Sequence, residues 1–197
     1  MSLEALLIAV GHIGIVAAVF AESGVLIGIF LPGDSLLITA GLLASAGLLN
    51  IWLLVPLCIV AAIAGDSVGY ATGKYFGPKI FTDKSRFLKK EYVTRTEAFF
   101  KRYGPAAIVL ARFTPIVRTI TPIMAGVGSM HYRTFLAYNI IGGILWAGVL
   151  LTLSYFAGIY IPGVTDYIHI IVIVVIILSF LPIIFRKKSH AHTTSSQ

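Results

Sequence analysis

Charge is scarce in this chain. Only 12% of its residues are Asp, Glu, Lys or Arg and 58% are hydrophobic, with a mean hydropathy of +0.94. Soluble domains carry roughly twice that share of charge, so the balance excludes an ordinary soluble domain and predicts an integral membrane protein. Cysteine is almost absent: Cys58 stands alone in a long apolar run, so no intrachain disulfide can form and the thiol is expected to pack. The alternating ten-residue segments that a β-barrel requires are missing, which leaves an all-α membrane fold. Histidines are few and scattered. His12, His131 and His169 have no Cys or carboxylate at ligand spacing, and His190 and His192 lie in a polar tail, so neither a metal nor another cofactor is expected. The opening Met-Ser-Leu-Glu lacks a positive region, and no convincing cleavage site follows. The first apolar run is therefore expected to stay in the mature protein.

What is present is apolar sequence with a few placed charges. A transmembrane helix takes about 20 residues, so 197 residues leave room for four or five membrane elements in a single domain, residues 1–185. The net charge of +7 does not imply nucleic acid. Nine of the fifteen Lys and Arg residues fall between Lys74 and Gly104, and Arg186, Lys187 and Lys188 follow the last apolar run. Both places are expected on the cytoplasmic side, where basic residues collect beside membrane segments and anionic lipid. Residues 186–197 are expected to form a disordered tail.

The stretch from residue 111 to 126 concentrates the chemistry, placing Arg112 and Arg118 with Pro115 and Pro122 inside apolar sequence. A cation at the centre of a lipid-facing helix costs about 2.5–3.5 kcal/mol or more, so two of them require partners, water or an anionic ligand. Proline removes a backbone donor and disfavours helix in the residue before it. Broken backbone at membrane depth survives only where protein or a wet cavity receives it. The stretch therefore reads as a re-entrant hairpin, residues 105–130, carrying a site.

Taken in order, residues 14–49 form a first hairpin, with a turn at Phe30-Leu-Pro32-Gly33-Asp34 and Glu22 and Asp34 flanking its tip. Residues 51–76 make a span with Trp52 as an interfacial anchor. In it Gly65, Gly69, Gly73 and Gly77 recur every four residues, a seam that admits another helix, with Asp66 beside it. The basic loop, residues 74–104, holds Leu88, Tyr92, Phe99 and Tyr103 near helical spacing, as an amphipathic surface helix would, though a solvated loop reads equally well. Spans follow at 135–160, with Asn139, Gly142, Gly143 and Trp146, and at 167–185. If the basic loop and the Arg186 cluster share a side, those two spans suffice between them. The Arg112 segment must then enter and leave on one face, and the first hairpin enters from the other.

The halves also resemble each other. Phe30-Leu-Pro32 aligns with Phe113-Thr-Pro115, Ala40-Gly41 with Ala125-Gly126, Tyr70 and Gly73 with Tyr155 and Gly158, and Ala21-Glu22 with Ala111-Arg112. A hairpin plus one crossing helix, repeated, gives an inverted repeat with sites near the midplane. The expected fold is thus an all-α polytopic bundle with two opposed re-entrant hairpins.

The Glu22 to Phe30-Leu-Pro-Gly-Asp34 segment, the Gly65-Asp-Ser-Val-Gly-Tyr70 helix and the Arg112-Phe-Thr-Pro-Ile-Val-Arg118 segment through Ala125-Gly126 together resemble the DedA family of bacterial membrane proteins. Its eukaryotic relatives share the SNARE-associated or VTT domain. The resemblance covers roughly residues 10–160 and implies a multi-pass transporter of the bacterial inner membrane; the cytoplasmic C-terminus is expected from the Arg186 cluster alone. Family members are linked to recycling of undecaprenyl phosphate, to functions dependent on the proton-motive force and, among eukaryotic relatives, to phospholipid scrambling. The family's acidic pair matches Glu22 and Asp34, and its arginines match Arg112 and Arg118.

These residues give the expected site. Arg112 and Arg118 would bind a lipid phosphate, since a guanidinium is always charged and can engage two oxygens; internal pairing with Glu22, Asp34 or Asp66 is the alternative. Glu22 and Asp34 would couple protons or gate, because burial and a nearby arginine pull on a carboxylate's proton in opposite directions. Asp66 could join them or serve only helix packing. Pro32, Gly33, Pro115 and Pro122 would shape the hairpins. Thr114, Thr119 and Thr121 would cap freed carbonyls or donate to phosphate, and Arg133 would anchor a span's end. The expected cargo is undecaprenyl phosphate or another phospholipid, with membrane lipids and protons as partners and a homodimer possible through the glycine seam. A proton-coupled ion or small-cation transporter and a general phospholipid scramblase are the rivals. A lipid phosphatase is disfavoured because no histidine pair is arranged for it, so no catalytic residue is expected.

Overall fold

The computed structural model describes residues 3–24, 33–80, 98 and 100–161. Among them there is no strand. Helix α1 is Leu3–Gly24, α2 is Gly33–Ser45 and α3 is Ile51–Ile80. A short helix, α4 (Ala107–Ala111), follows a 3-10 turn at Gly104–Ala106, and α5 is Pro115–Val127. Helix α6 (Tyr132–Gly143) continues through one turn of π-helix, Ile144–Gly148, into α7 (Val149–Tyr160). The first hairpin's tip with Pro32, most of the basic loop, the 167–185 span and the tail lie outside the described residues.

Two of these helices are long and apolar enough to cross a membrane, Ile51–Phe76 and Tyr132–Tyr160. Helices α2 and α5, at 13 residues each, are about 20 Å long against a hydrocarbon core of about 30 Å. The break between α4 and α5 falls where proline chemistry places it. Thr114, the residue before Pro115, is extended at φ −127° and ψ 107°, and Pro115 occupies the first turn of α5. Pro122 lies inside α5 instead of at a turn, against the Gly69 face of α3. It removes the N–H that would have reached the Arg118 carbonyl.

The shorter helices pack on the long ones: α1 and α5 lie along α3, and α2 lies along α7. Apolar contact alone drives little association in lipid, so close backbone approach and buried polar pairs decide such packing. A Cβ on Gly73 would strike the Ile123 backbone of α5, and one on Gly126 would strike the Tyr70 carbonyl of α3. Across the molecule, a Cβ on Gly158 would strike Ser45, and one on Gly41 would strike Ser154. These are positions that the internal alignment sets in correspondence. The Gly65 to Gly73 seam is filled from within the chain, Gly65 by α1 and Gly69 and Gly73 by α5. Trp52 is exposed at the start of α3, and Cys58 is fully buried in the core beside Val19, Leu37 and Trp146.

Candidate functional site

Five buried or half-buried charges converge where α1, α2 and the α4–α5 bend meet the long helices. They form two groups that share Trp146.

In the first group, Arg112, at the C-terminal end of α4, pairs through Nη2 with Asp66 of α3. The same nitrogen donates to Oδ1 of Asn139 in α6 at 2.5 Å. Asn139 in turn donates through Nδ2 to the Ile63 carbonyl at 3.1 Å, which turns its oxygen toward the arginine. A Cβ on Gly142 would press on Arg112 Cδ and Nε, so glycine makes room for the guanidinium stem. All three polar residues are buried. The arrangement bolts α3, α6 and the bend together.

In the second group, Arg118 of α5 pairs through Nη2 with Glu22 of α1 and through Nη1 with Oδ1 of Asp34 at 3.1 Å. Glu22 is 1% exposed, and its Oε1 also accepts the Gly33 N–H at 3.0 Å. A Cβ at Gly33 would fall inside the Glu22 carboxyl, so any larger residue where α2 begins would displace that carboxyl from its place. Asp34 differs from the other acids in leaving 52% of its side chain exposed. Its Oδ1 accepts a second bond, from Trp146 Nε1 at 2.6 Å.

Trp146 stands in the π-helical turn, itself 3% exposed. The Arg118 Cζ lies 4.8 Å from its ring centroid and the Arg112 Cζ 5.8 Å, within cation–π range. A π turn inside a span re-aims the side chains that follow it and often marks a functional position. Two buried polar atoms have no hydrogen-bond partner among the described residues, Glu22 Oε2 and Arg112 Nε.

The structure thus brings Glu22, Gly33, Asp34 and Arg118 together, and puts Arg112 with Asp66 instead of with the hairpin acids. Asn139 and Trp146 complete the two groups, although the sequence marked them only as residues carried by a span. The available signals were an amide and an indole in mid-span, where indoles ordinarily favour the interface. Thr121 donates to the Val117 carbonyl one turn back in α5 at 2.7 Å, not to the Arg118 carbonyl that Pro122 frees, and Arg133 is exposed. With all five charges ionised, three carboxylates face two guanidiniums and leave one net negative charge.

Residues 31–156 match the VTT domain. The chain is 44% identical over 174 residues to Protein DedA of Escherichia coli (strain K12), covering 87% of this chain and 79% of that protein. It is 41% identical over 184 residues to the uncharacterized membrane protein ML0287 of Mycobacterium leprae, covering 91% and 82%. It is 35% identical over 140 residues to the inner membrane protein YghB of Escherichia coli (strain K12), covering 71% and 64%. No solved structure matches.

Proposed function

The chain belongs to the DedA family of VTT-domain membrane proteins, and from that premise we propose that it moves a phosphate-bearing lipid across the bacterial inner membrane. Undecaprenyl phosphate is the first cargo to test. The observation that carries the reading is Arg118: a guanidinium in the short helix after the break, held partly by a half-exposed Asp34 that would leave it when cargo binds. A phosphate oxygen suits that vacated donor, and the lipid tail would remain in the bilayer.

The proposed architecture is a pair of opposed re-entrant hairpins in an inverted repeat. Two short apolar helices near 20 Å and the matched glycine positions, Gly73 with Gly158 and Gly126 with Gly41, each at a close helix approach, support it. In that frame Arg112 and Asp66 are the fixed pivot, while Glu22, Asp34 and Arg118 are the changing part. Glu22 would take up a proton at its unpartnered Oε2 when an anion replaces Asp34, which removes a negative charge from beside the headgroup. Proteoliposomes loaded with fluorescent undecaprenyl phosphate test the reading: the parent should translocate it and Arg118→Gln should not. Equal rates in both would end it.

The excess of carboxylates favours one rival, a proton-coupled small-cation transporter in which Glu22 and Asp34 hold the cargo. Cation flux in liposomes without lipid phosphate, lost in Glu22→Gln, would favour that reading over the first.

A further inference from the structure

Asp34 is an odd counterion. It reaches two donors through one oxygen, Arg118 Nη1 at 3.1 Å and the buried Trp146's Nε1 at 2.6 Å, while half of its side chain stays exposed. The indole supports the arrangement twice, donating from its edge to Asp34 and lying with its face against the Arg118 guanidinium. Arg118 also keeps its Glu22 contact on the other nitrogen, so the Nη1 position is defined with or without Asp34. Two converging donors, one of them cationic, suit a phosphate oxygen as well as a carboxylate oxygen.

Resting on the reading that the site takes a phosphate-bearing lipid, we infer that Asp34 Oδ1 occupies the seat of a headgroup oxygen, with Arg118 Nη1 and Trp146 Nε1 as the seat's two donors. Asp34 is then a built-in competitor that closes the site when empty. Trp146 is a binding residue, which distinguishes it from packing neighbours such as Leu37 and Cys58 in the same core.

The full chain in nanodiscs, titrated with radiolabelled decyl phosphate and, separately, with labelled inorganic phosphate, tests this. Asp34→Ala should bind about tenfold tighter than the parent, and adding Trp146→Phe should cancel about tenfold of that affinity, the scale of one hydrogen bond to a charged acceptor. Whichever probe shows the gain identifies the source as lipid-borne or free. Removing a negative charge would aid any anion, but that effect alone would survive the loss of the indole N–H. Because Trp146→Phe could disturb the core, the unmutated indole gives an independent readout. The chain has two tryptophans, and the Trp146 Nε1–H resonance should shift saturably with probe while that of the exposed Trp52 stays still.

A silent Trp146 resonance, or equal affinity in parent and Asp34→Ala while Arg118→Gln still abolishes binding, overturns the inference and leaves the phosphate reading standing. Absence of saturable binding by every protein overturns both.

Discussion

The indole N–H of Trp146 donates to the Asp34 carboxylate at 2.6 Å, joining the π turn of one long helix to the first turn of a helix 112 positions earlier. Replacing the indole separates its two contributions. Trp146→Phe keeps a ring against Arg118 but loses the N–H, worth about 1.5–3 kcal/mol to a charged acceptor. Trp146→Leu also loses the cation–π contact. Initial transport rates in proteoliposomes should fall about tenfold for the first and close to background for the second.

Arg112 and Asp66 should govern stability more than affinity. Both are buried and each depends on the other, and removing one member of such a pair costs about 3–5 kcal/mol. Thermal unfolding in detergent should show Asp66→Asn and Arg112→Gln melting well below Asp34→Asn, whose side chain is half exposed. The double substitution Asp66→Leu with Arg112→Met should recover part of the loss. Equal midpoints for Asp66→Asn and Asp34→Asn would contradict the assignment of a pivot.

Glycine substitutions should divide by location. A Cβ at Gly126 meets the Tyr70 carbonyl and the Lys74 amide, backbone atoms that cannot swing away, whereas a Cβ at Gly14 meets nothing within 4 Å. Gly126→Ala should lose most of its folded yield by size-exclusion chromatography. Gly14→Ala should match or exceed the parent by about 0.5–1 kcal/mol, the helix preference of alanine over glycine.

Charge balance predicts proton uptake. A phosphate dianion replacing Asp34 beside an ionised Glu22 would be repelled, so binding should draw a proton onto Glu22. With a pH indicator in weak buffer, adding decyl phosphate should produce uptake in the parent and none in Glu22→Gln. Uptake of the same size in Glu22→Gln would place the proton elsewhere.

The sequence disclosed those features that local chemistry dictates. Proline at 115 forces an extended Thr114 and so the bend, and ionisable residues in apolar sequence announce a site wherever they fold. Partner choice is a different matter. The contact of Arg112 with Asp66 spans 46 positions and that of Arg118 with Asp34 spans 84, so both depend on how the helices stack. The glycine seam was visible, but not its division between α1 and α5. Pro122 looked like a second break, yet a proline within a packed helix can be accommodated by its neighbours. The π turn left no local mark, and without it Trp146 reads as one more aromatic residue in a span.

The most direct test of the central claim compares translocation of fluorescent undecaprenyl phosphate with that of an ordinary phospholipid in proteoliposomes, with and without an imposed pH gradient. The lipid phosphate should move faster, the parent should respond to the gradient, and Arg118→Gln should lose both. Equal movement of the two lipids, unchanged by Arg118→Gln, would contradict it.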